Sequence, residues 1–268
     1  MKVGFIGAGN MGRAIANGLK KSGVCKSEEL FCISASGSGA ARMAAATGAT
    51  VSESKKELIE QSDVIILAFK PQHLESISEE EANAAKGKIV ISVLAGRTLD
   101  SMKSVFGDGP SNLVRVMPNT PSQIGKGVST FCFLKEPSDD ETSTTETVLG
   151  SLGTAYAVEE SQLHIATVIN GCGPAFYFRI VQLIAEIADE HGLNKDLAAK
   201  LACETGIGSL ELLNQSESDP QELIDEVVSP NGVTHALLTS LNTNGMPALM
   251  RTATKDAVDR SIELSRKA

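Results

Sequence analysis

The chain has 268 residues, room for one large or two modest domains whose core needs no disulfide or metal staple. With 24 Lys and Arg against 33 Asp and Glu the formal charge is −9, and 8 Phe, 2 Tyr and no Trp supply few stacking rings, which argues against a nucleic-acid partner. The five cysteines (Cys25, Cys32, Cys132, Cys172, Cys203) are widely spaced and form no CxxC or Cys/His cluster, so neither a disulfide framework nor a metal site is expected, and a cytoplasmic location fits.

The N-terminus passes at once from Lys2 into Val3-Gly4-Phe5-Ile6-Gly7, leaving no room for the apolar segment of a signal peptide. The longest compact apolar runs, Val64 to Phe69 and Ile89 to Ala95, fall short of the ~20 residues that a membrane span needs, so no membrane partner is expected. In chain order, strands are predicted at Lys2–Ile6, Leu30–Ser34, Asp63–Phe69, Lys88–Val93, Leu113–Val116, Val128–Phe133 and Ala155–Val158. Several are apolar at consecutive positions, the pattern of strands buried on both faces of a parallel sheet. Crossover helices are predicted at Gly12–Lys21, Gly39–Thr47, Ser54–Gln61 and Glu141–Leu152, although Thr142–Thr147 is polar enough for a loop or a solvated helix face. The result is a doubly wound, mostly parallel α/β domain over residues 1–160.

After Glu160 no strand is predicted. Phe176, Ile180, Leu183, Ile184 and Ile187 recur at helical spacing, with Pro174 suited to the first turn and Gly192 to the stop. Further helices are predicted at Lys195–Asn214, Pro220–Val228, Thr234–Leu241 and Pro247–Arg266, making residues 161–268 an all-helical domain.

Gly7-Ala8-Gly9-Asn10-Met11-Gly12 matches G-x-G-x-x-G, directly after the first strand and at the start of a helix. In that context Gly7 permits the tight turn, Gly9 keeps side chains away from a pyrophosphate, and Gly12 lets helix and strand pack closely, as in a Rossmann dinucleotide-binding domain. The freed N–H groups and the positive helix end then face the phosphates. Where an NAD reader carries a carboxylate after the second strand, this chain has Ser34-Ala35-Ser36-Gly37-Ser38. Nothing there repels an extra phosphate, and Arg42 can receive one, so NADPH is expected to be preferred, with NADH possible. A merely flexible Ser/Gly loop is the other reading.

Four blocks together resemble the pyrroline-5-carboxylate reductase family over essentially the whole chain: Phe5 to Gly12, Ala68-Phe69-Lys70-Pro71-Gln72, Arg115 to Pro121 (RVMPNTP), and Ser229-Pro230-Asn231-Gly232-Val233-Thr234-His235-Ala236. The resemblance implies NAD(P)H-dependent reduction of the cyclic imine 1-pyrroline-5-carboxylate to proline. It implies a cofactor seated on Gly7, Ala8, Gly9, Asn10, Met11 and Gly12 and lined by Ser34, Ser36, Ala68, Lys70, Pro71, Ala95 and Gly96. It implies helical domains interlocked as a homodimer or larger homo-oligomer, with the partner subunit completing the site. The substrate loop is then Ser229, Asn231, Gly232, Val233 and Thr234.

That loop reads independently as a turn running into a helix, where backbone N–H groups converge on a small carboxylate and Thr234 can bond the carboxylate or the ring nitrogen; a plain helix cap is the alternative. The stretch from Met117 through Asn119 to Pro121 follows a strand end and is stiffened by two prolines, which suits a wall beside the nicotinamide or a rigid turn. Because a protonated imine is already electrophilic, orientation and exclusion of water suffice, and neither a nucleophile nor a metal is called for. Lys70 is read as shaping its loop more than as a proton donor, and His235 as a capping residue. Four positions depart from the family pattern: Asn170 and Cys172 stand where relatives carry Ser, Asn231 replaces Gly, and Glu226 replaces Asn. A reductase of a related cyclic imine or small acid, and a non-catalytic NAD(P)-binding regulator, are the competing readings.

Overall fold

The computed structural model describes residues 1–266, which divide into two compact units, one of residues 1–174 with the described residues from 257 onward and one of residues 175–256. The first unit is built on eight strands: β1 (Val3–Ile6), β2 (Leu30–Ile33), β3 (Thr50–Val51), β4 (Val64–Leu67), β5 (Ile89–Ser92), β6 (Asn112–Met117), β7 (Gly127–Phe133) and β8 (Gly153–Ala157). Their order across the sheet is 3-2-1-4-5-6-7-8, and every pairing is parallel except the antiparallel β6/β7. All seven predicted strands are present. The two-residue β3 was not predicted, being too short to show a pattern.

All residues of β1, β4 and β5 are buried, because helices cover both faces. Successive side chains alternate between two cores. Phe5 and Ile66 face one core with Ile15, Leu19, Met43, Val148 and Leu149, from helices Asn10–Lys21, Ser38–Thr47 and Asp139–Gly150. Ile65 and Leu67 face the other with Leu58, Ile59, Met102 and Phe106, from helices Lys55–Gln61 and Leu99–Phe106. Each such side chain contributes roughly 1.5–3 kcal/mol by leaving water. The polar Thr142–Thr147 stretch is helical: Ser138 and Glu141 form a capping box at the start of Asp139–Gly150, and Thr145 is buried. Helices Glu79–Ala84 and Leu99–Phe106 were not predicted, although the Ser78/Glu81 capping box and the Thr98 cap were readable.

Two asparagines lock the end of β6 to the start of β7 and to the helical segment Thr167–Gly171. Asn170 Nδ2 donates to the carbonyls of Met117 (2.7 Å) and Val128 (3.1 Å). Asn119 Nδ2 donates to the Asn170 carbonyl (3.1 Å), and its Oδ1 accepts from the Val128 N–H (2.9 Å). Where the family pattern has Ser, Asn170 thus acts as a buried tie with the reach to span two strands.

The second unit is helical, formed by the bulk of Gly173–Glu190, all of Lys195–Gln215, Pro220–Val227 and Val233–Thr243, and the first half of Met246–Arg266. The left-handed Gly192 (φ +84°) ends the first of these, as expected. Within residues 175–256 only Ala185 and Ala198 are buried hydrophobics, whereas Tyr177, Phe178, Ile184, Ile207, Leu212 and Leu249 are exposed. The expectation that no stretch suits a membrane needs correction. By length and composition alone, Glu160–Glu190 is long and apolar enough to cross one, since small residues between its large apolar ones keep the mean hydropathy at 1.2 without a continuous apolar run.

Replacing Asn170 by Ala removes both donors and strands two buried carbonyls, at a cost of about 1–3 kcal/mol. Thermal unfolding followed by circular dichroism is expected to show a lowered Tm for Asn170→Ala and a smaller loss for Asn170→Ser.

Candidate functional site

The β1-to-helix turn is held from two sides. The Gly7 N–H donates to the Ile33 carbonyl (2.8 Å), and the Ala68 N–H donates to the Ile6 carbonyl (2.9 Å). Gly7 has φ +101°, and a Cβ there would collide with the Ala68 carbonyl; at Gly12 it would lie 2.9 Å from the Gly7 carbonyl oxygen and 3.1 Å from Ala68 Cβ. Both glycines are therefore demanded by the fold itself. Gly9 differs: its φ is −71°, which any residue adopts, and the nearest atom to an added Cβ is the Ala68 oxygen at 3.8 Å. What excludes a side chain at Gly9 is absent from the chain, as expected of a glycine kept for close approach of a ligand.

Gly9 lies in a cleft of about 640 Å³. Of the predicted cofactor residues, Gly7, Ala8, Gly9, Asn10, Met11, Ser34, Ser36, Ala68 and Lys70 line it together, as does Arg42. Gly12 is buried behind the turn. Pro71, Ala95, Gly96, Met117 and Asn119 are not among the lining residues. Pro71 opens the 3-10 turn Pro71–Ser76, and Gly96 lies beside the Leu264 backbone. Met117 ends β6 next to Gly171. Asn119 turns its amide inward on the tie to Asn170 and Val128, so its side-chain polar atoms are engaged within the protein.

Arg13, Ala35, Gly39, Phe69, His73 and Val93 also line the cleft and were not assigned to it from the sequence. Arg13 directly follows Gly12, and His73 sits one 3-10 turn after Lys70, so periodicity was the available signal. Arg13 is anchored at the turn, Nη2 donating to Asn10 Oδ1 (2.7 Å). Ser34 Oγ accepts from the Ala40 N–H (2.9 Å) and joins the end of β2 to helix Ser38–Thr47. Arg13, Arg42 and Lys70 give the lining three formal positive charges, and no carboxylate lies among the lining residues. Such a lining favours an anionic ligand.

In the second unit, Ser229–Gly232 closes as a turn, with the Gly232 N–H donating to the Ser229 carbonyl (2.9 Å). Asn231 has φ +59°, the only non-glycine positive φ among the described residues, so Asn preserves the left-handed turn that relatives build with Gly. A Cβ at Gly232 would collide with Ser229 Oγ, and no side chain caps helix Val233–Thr243. That helix starts one residue earlier than predicted, placing Thr234 in its first turn, half-buried, with Val233 and His235 exposed. Glu226 is exposed on helix Pro220–Val227. Among the described residues no group of three or more His, Cys, Asp or Glu side chains converges as a metal site.

Residues 160–264 match the family model described as pyrroline-5-carboxylate reductase dimerisation, and residues 2–96 match that described as NADP oxidoreductase, coenzyme F420-dependent. A pyrroline-5-carboxylate reductase of Pseudomonas aeruginosa is 33% identical over 269 residues, covering 98% of this chain and 97% of the relative. The crystal structure of Plasmodium falciparum pyrroline carboxylate reductase with NADP bound is similar at TM-score 0.87 and 29% identity, over 99% of this chain and 98% of that one. A pyrroline-5-carboxylate reductase from Coxiella burnetii is similar at TM-score 0.92 and 27% identity, over 98% of each chain.

The glycines separate fold from ligand. Gly7→Ala is expected to lower Tm, whereas Gly9→Ala is expected to leave Tm near that of the parent and to weaken dinucleotide binding by roughly tenfold or more, about 1.4 kcal/mol. Fluorescence titration of each purified variant with NADPH measures this.

Proposed function

The chain belongs to the pyrroline-5-carboxylate reductase family, and from that premise we propose which of its residues carry the reaction. It is a nicotinamide-dependent oxidoreductase of the CH–NH class that reduces 1-pyrroline-5-carboxylate to proline, and it works as a homo-oligomer. The dinucleotide lies in the cleft at the end of β1. The observation that carries this assignment is Gly9, which has no side chain although the fold leaves room for one. The pyrophosphate takes the N–H groups at the start of helix Asn10–Lys21 and the charge of Arg13. The adenosine ribose lies at the end of β2, where Ser34, Ser36 and Arg42 replace the usual carboxylate; this supports NADPH over NADH.

The loop Ser229–Thr234 holds the substrate, its carboxylate on the backbone N–H groups of Gly232, Val233 and Thr234 and on Ser229, and its ring oriented by the Thr234 hydroxyl. Asn231 serves by keeping the turn. When bound, the reduced nicotinamide supplies the hydride that makes the imine carbon an amine carbon. The chain's own residues have only to orient the ring and exclude water, because the protonated substrate nitrogen already carries its proton. Lys70 shapes the wall of the cleft. The exposed apolar face of the second unit is the surface that the helical domains bury on each other, in a homodimer or a larger assembly. Five free cysteines fit a cytoplasmic enzyme, and a formal charge of −9 fits one without a nucleic-acid partner.

The test is oxidation of NADPH and of NADH with 1-pyrroline-5-carboxylate under matched conditions. The parent protein is expected to turn over faster with NADPH. A charge-assisted hydrogen bond is worth about 1.5–3 kcal/mol, so Arg42→Ala is expected to lower kcat/KM for NADPH by roughly tenfold or more and to spare NADH. Equal losses with both cofactors would remove the phosphate role. Thr234→Ala is expected to lose roughly tenfold or more in kcat/KM, with Thr234→Ser recovering most of it. An inert parent that still binds NADPH would point to a regulator.

A further inference from the structure

Arg97 is only 5% exposed, two residues beyond Ala95 in the loop that follows β5. Its Nε donates to the Pro71 carbonyl (2.8 Å). Its two terminal nitrogens fork onto one carboxylate, Nη1 to Glu75 Oε1 (2.6 Å) and Nη2 to Glu75 Oε2 (3.1 Å). A single guanidinium therefore staples the turn after β4, residues 70–76, to the loop after β5. Its own N–H bond and the Arg97 fork hold the Glu75 carboxyl below the usual carboxylate range. Bidentate geometry of this kind fixes direction as well as distance, which a lysine cannot do.

The stapled turn matters because of what it carries. Lys70 and His73 line the dinucleotide cleft, and so does Val93 at the start of the other loop. Pro71–Ser76 is a 3-10 segment, a conformation with poor hydrogen-bond geometry that needs outside support. Leu74 anchors it in the core, and Lys55 Nζ donates to the Ser76 carbonyl (2.8 Å) at its far end. Arg97 secures the near end, next to the lining residues. Since the adenosine ribose lies on the β2 side of the glycine turn, the nicotinamide half falls on the β4 side. We propose that Arg97, through its fork on Glu75 and its bond to the Pro71 carbonyl, is a positioning residue for hydride transfer, holding the turn that carries Lys70 and His73 against the nicotinamide half of the cofactor. The inference rests on the reading of the cleft as the dinucleotide site.

Steady-state kinetics of the full-length oligomer, with NADPH and 1-pyrroline-5-carboxylate, test this in Arg97→Met, Arg97→Lys and Glu75→Gln, alongside Gly9→Ala. The expected result is a fall in kcat/KM of about tenfold to hundredfold in Arg97→Met, the range produced by small misplacements of reacting groups. It should appear in kcat as well as in KM for NADPH. Arg97→Lys should recover only part of it, and the double variant Arg97→Met/Glu75→Gln should be no worse than Arg97→Met alone. Glu75 is 62% exposed, so Glu75→Gln folds and carries the test if Arg97→Met does not. A lowered Tm with kcat and KM unchanged overturns the positioning role. If Arg97 variants match the parent while Gly9→Ala loses NADPH binding, the staple is refuted and the cleft stands; if Gly9→Ala binds NADPH as the parent does, the reading of the cleft falls and this inference with it.

Discussion

The backbone of Gly7 passes so close to the Ala68 carbonyl that no side chain fits between them, and this approach decides where the rest of the site can be. It joins the ends of β1 and β4 at the point where the chain, having built β2 and β3 on one side of β1, begins to build on the other. At such a switch the loops leaving neighbouring strands diverge to opposite faces, and the gap between them is the cleft. The helix that starts there can meet a ligand with its free N–H groups because Gly12 lets it pack close behind the turn and Gly9 leaves the turn bare. The cleft and the placement of the loops around it thus derive from one steric constraint.

Electrostatics then set what the cleft accepts. The chain carries a formal charge of −9, yet Arg13, Arg42 and Lys70 face the cleft with no carboxylate among them. Acidic side chains lie elsewhere, several in capping boxes such as Glu81 and Glu141, where they favour helix starts instead of repelling an anion. Glu75, the carboxylate nearest in sequence to the lining residue His73, is paired with Arg97. The same ion pair that neutralises it also ties down the loop that bears His73 and Lys70.

The second unit has the opposite problem. Its helices keep the apolar periodicity of buried helices, but within residues 175–256 the chain buries almost none of that face by itself. Hydrophobic stabilisation scales with the area withdrawn from water, so a unit with this much exposed apolar surface gains stability when another copy covers it. That is the physical content of a dimerisation domain, and it makes folding and assembly parts of one problem.

The strands, most helices and the glycine turn were legible in the sequence because their signals are local. Consecutive apolar residues mark doubly covered strands, three- and four-residue spacing marks helix faces, and G-x-G-x-x-G carries its own steric logic. Ser34, Ser36, Ala68 and Lys70, which the family resemblance points to, line the cleft together. The positive φ of Asn231 was readable from a local signal as well, a turn being settled within four residues. What depended on residues far apart in the chain was not legible. The amide of Asn119 meets Asn170 far along the chain, and Arg97 finds Glu75 across two loops. Arg13, His73 and Val93 come together only when β1, β4 and β5 lie side by side. Local propensity specifies which element a segment forms; which side chains share a cavity or an ion pair is decided when those elements pack, because the bonding partner of a long polar side chain is whatever the fold brings within its reach.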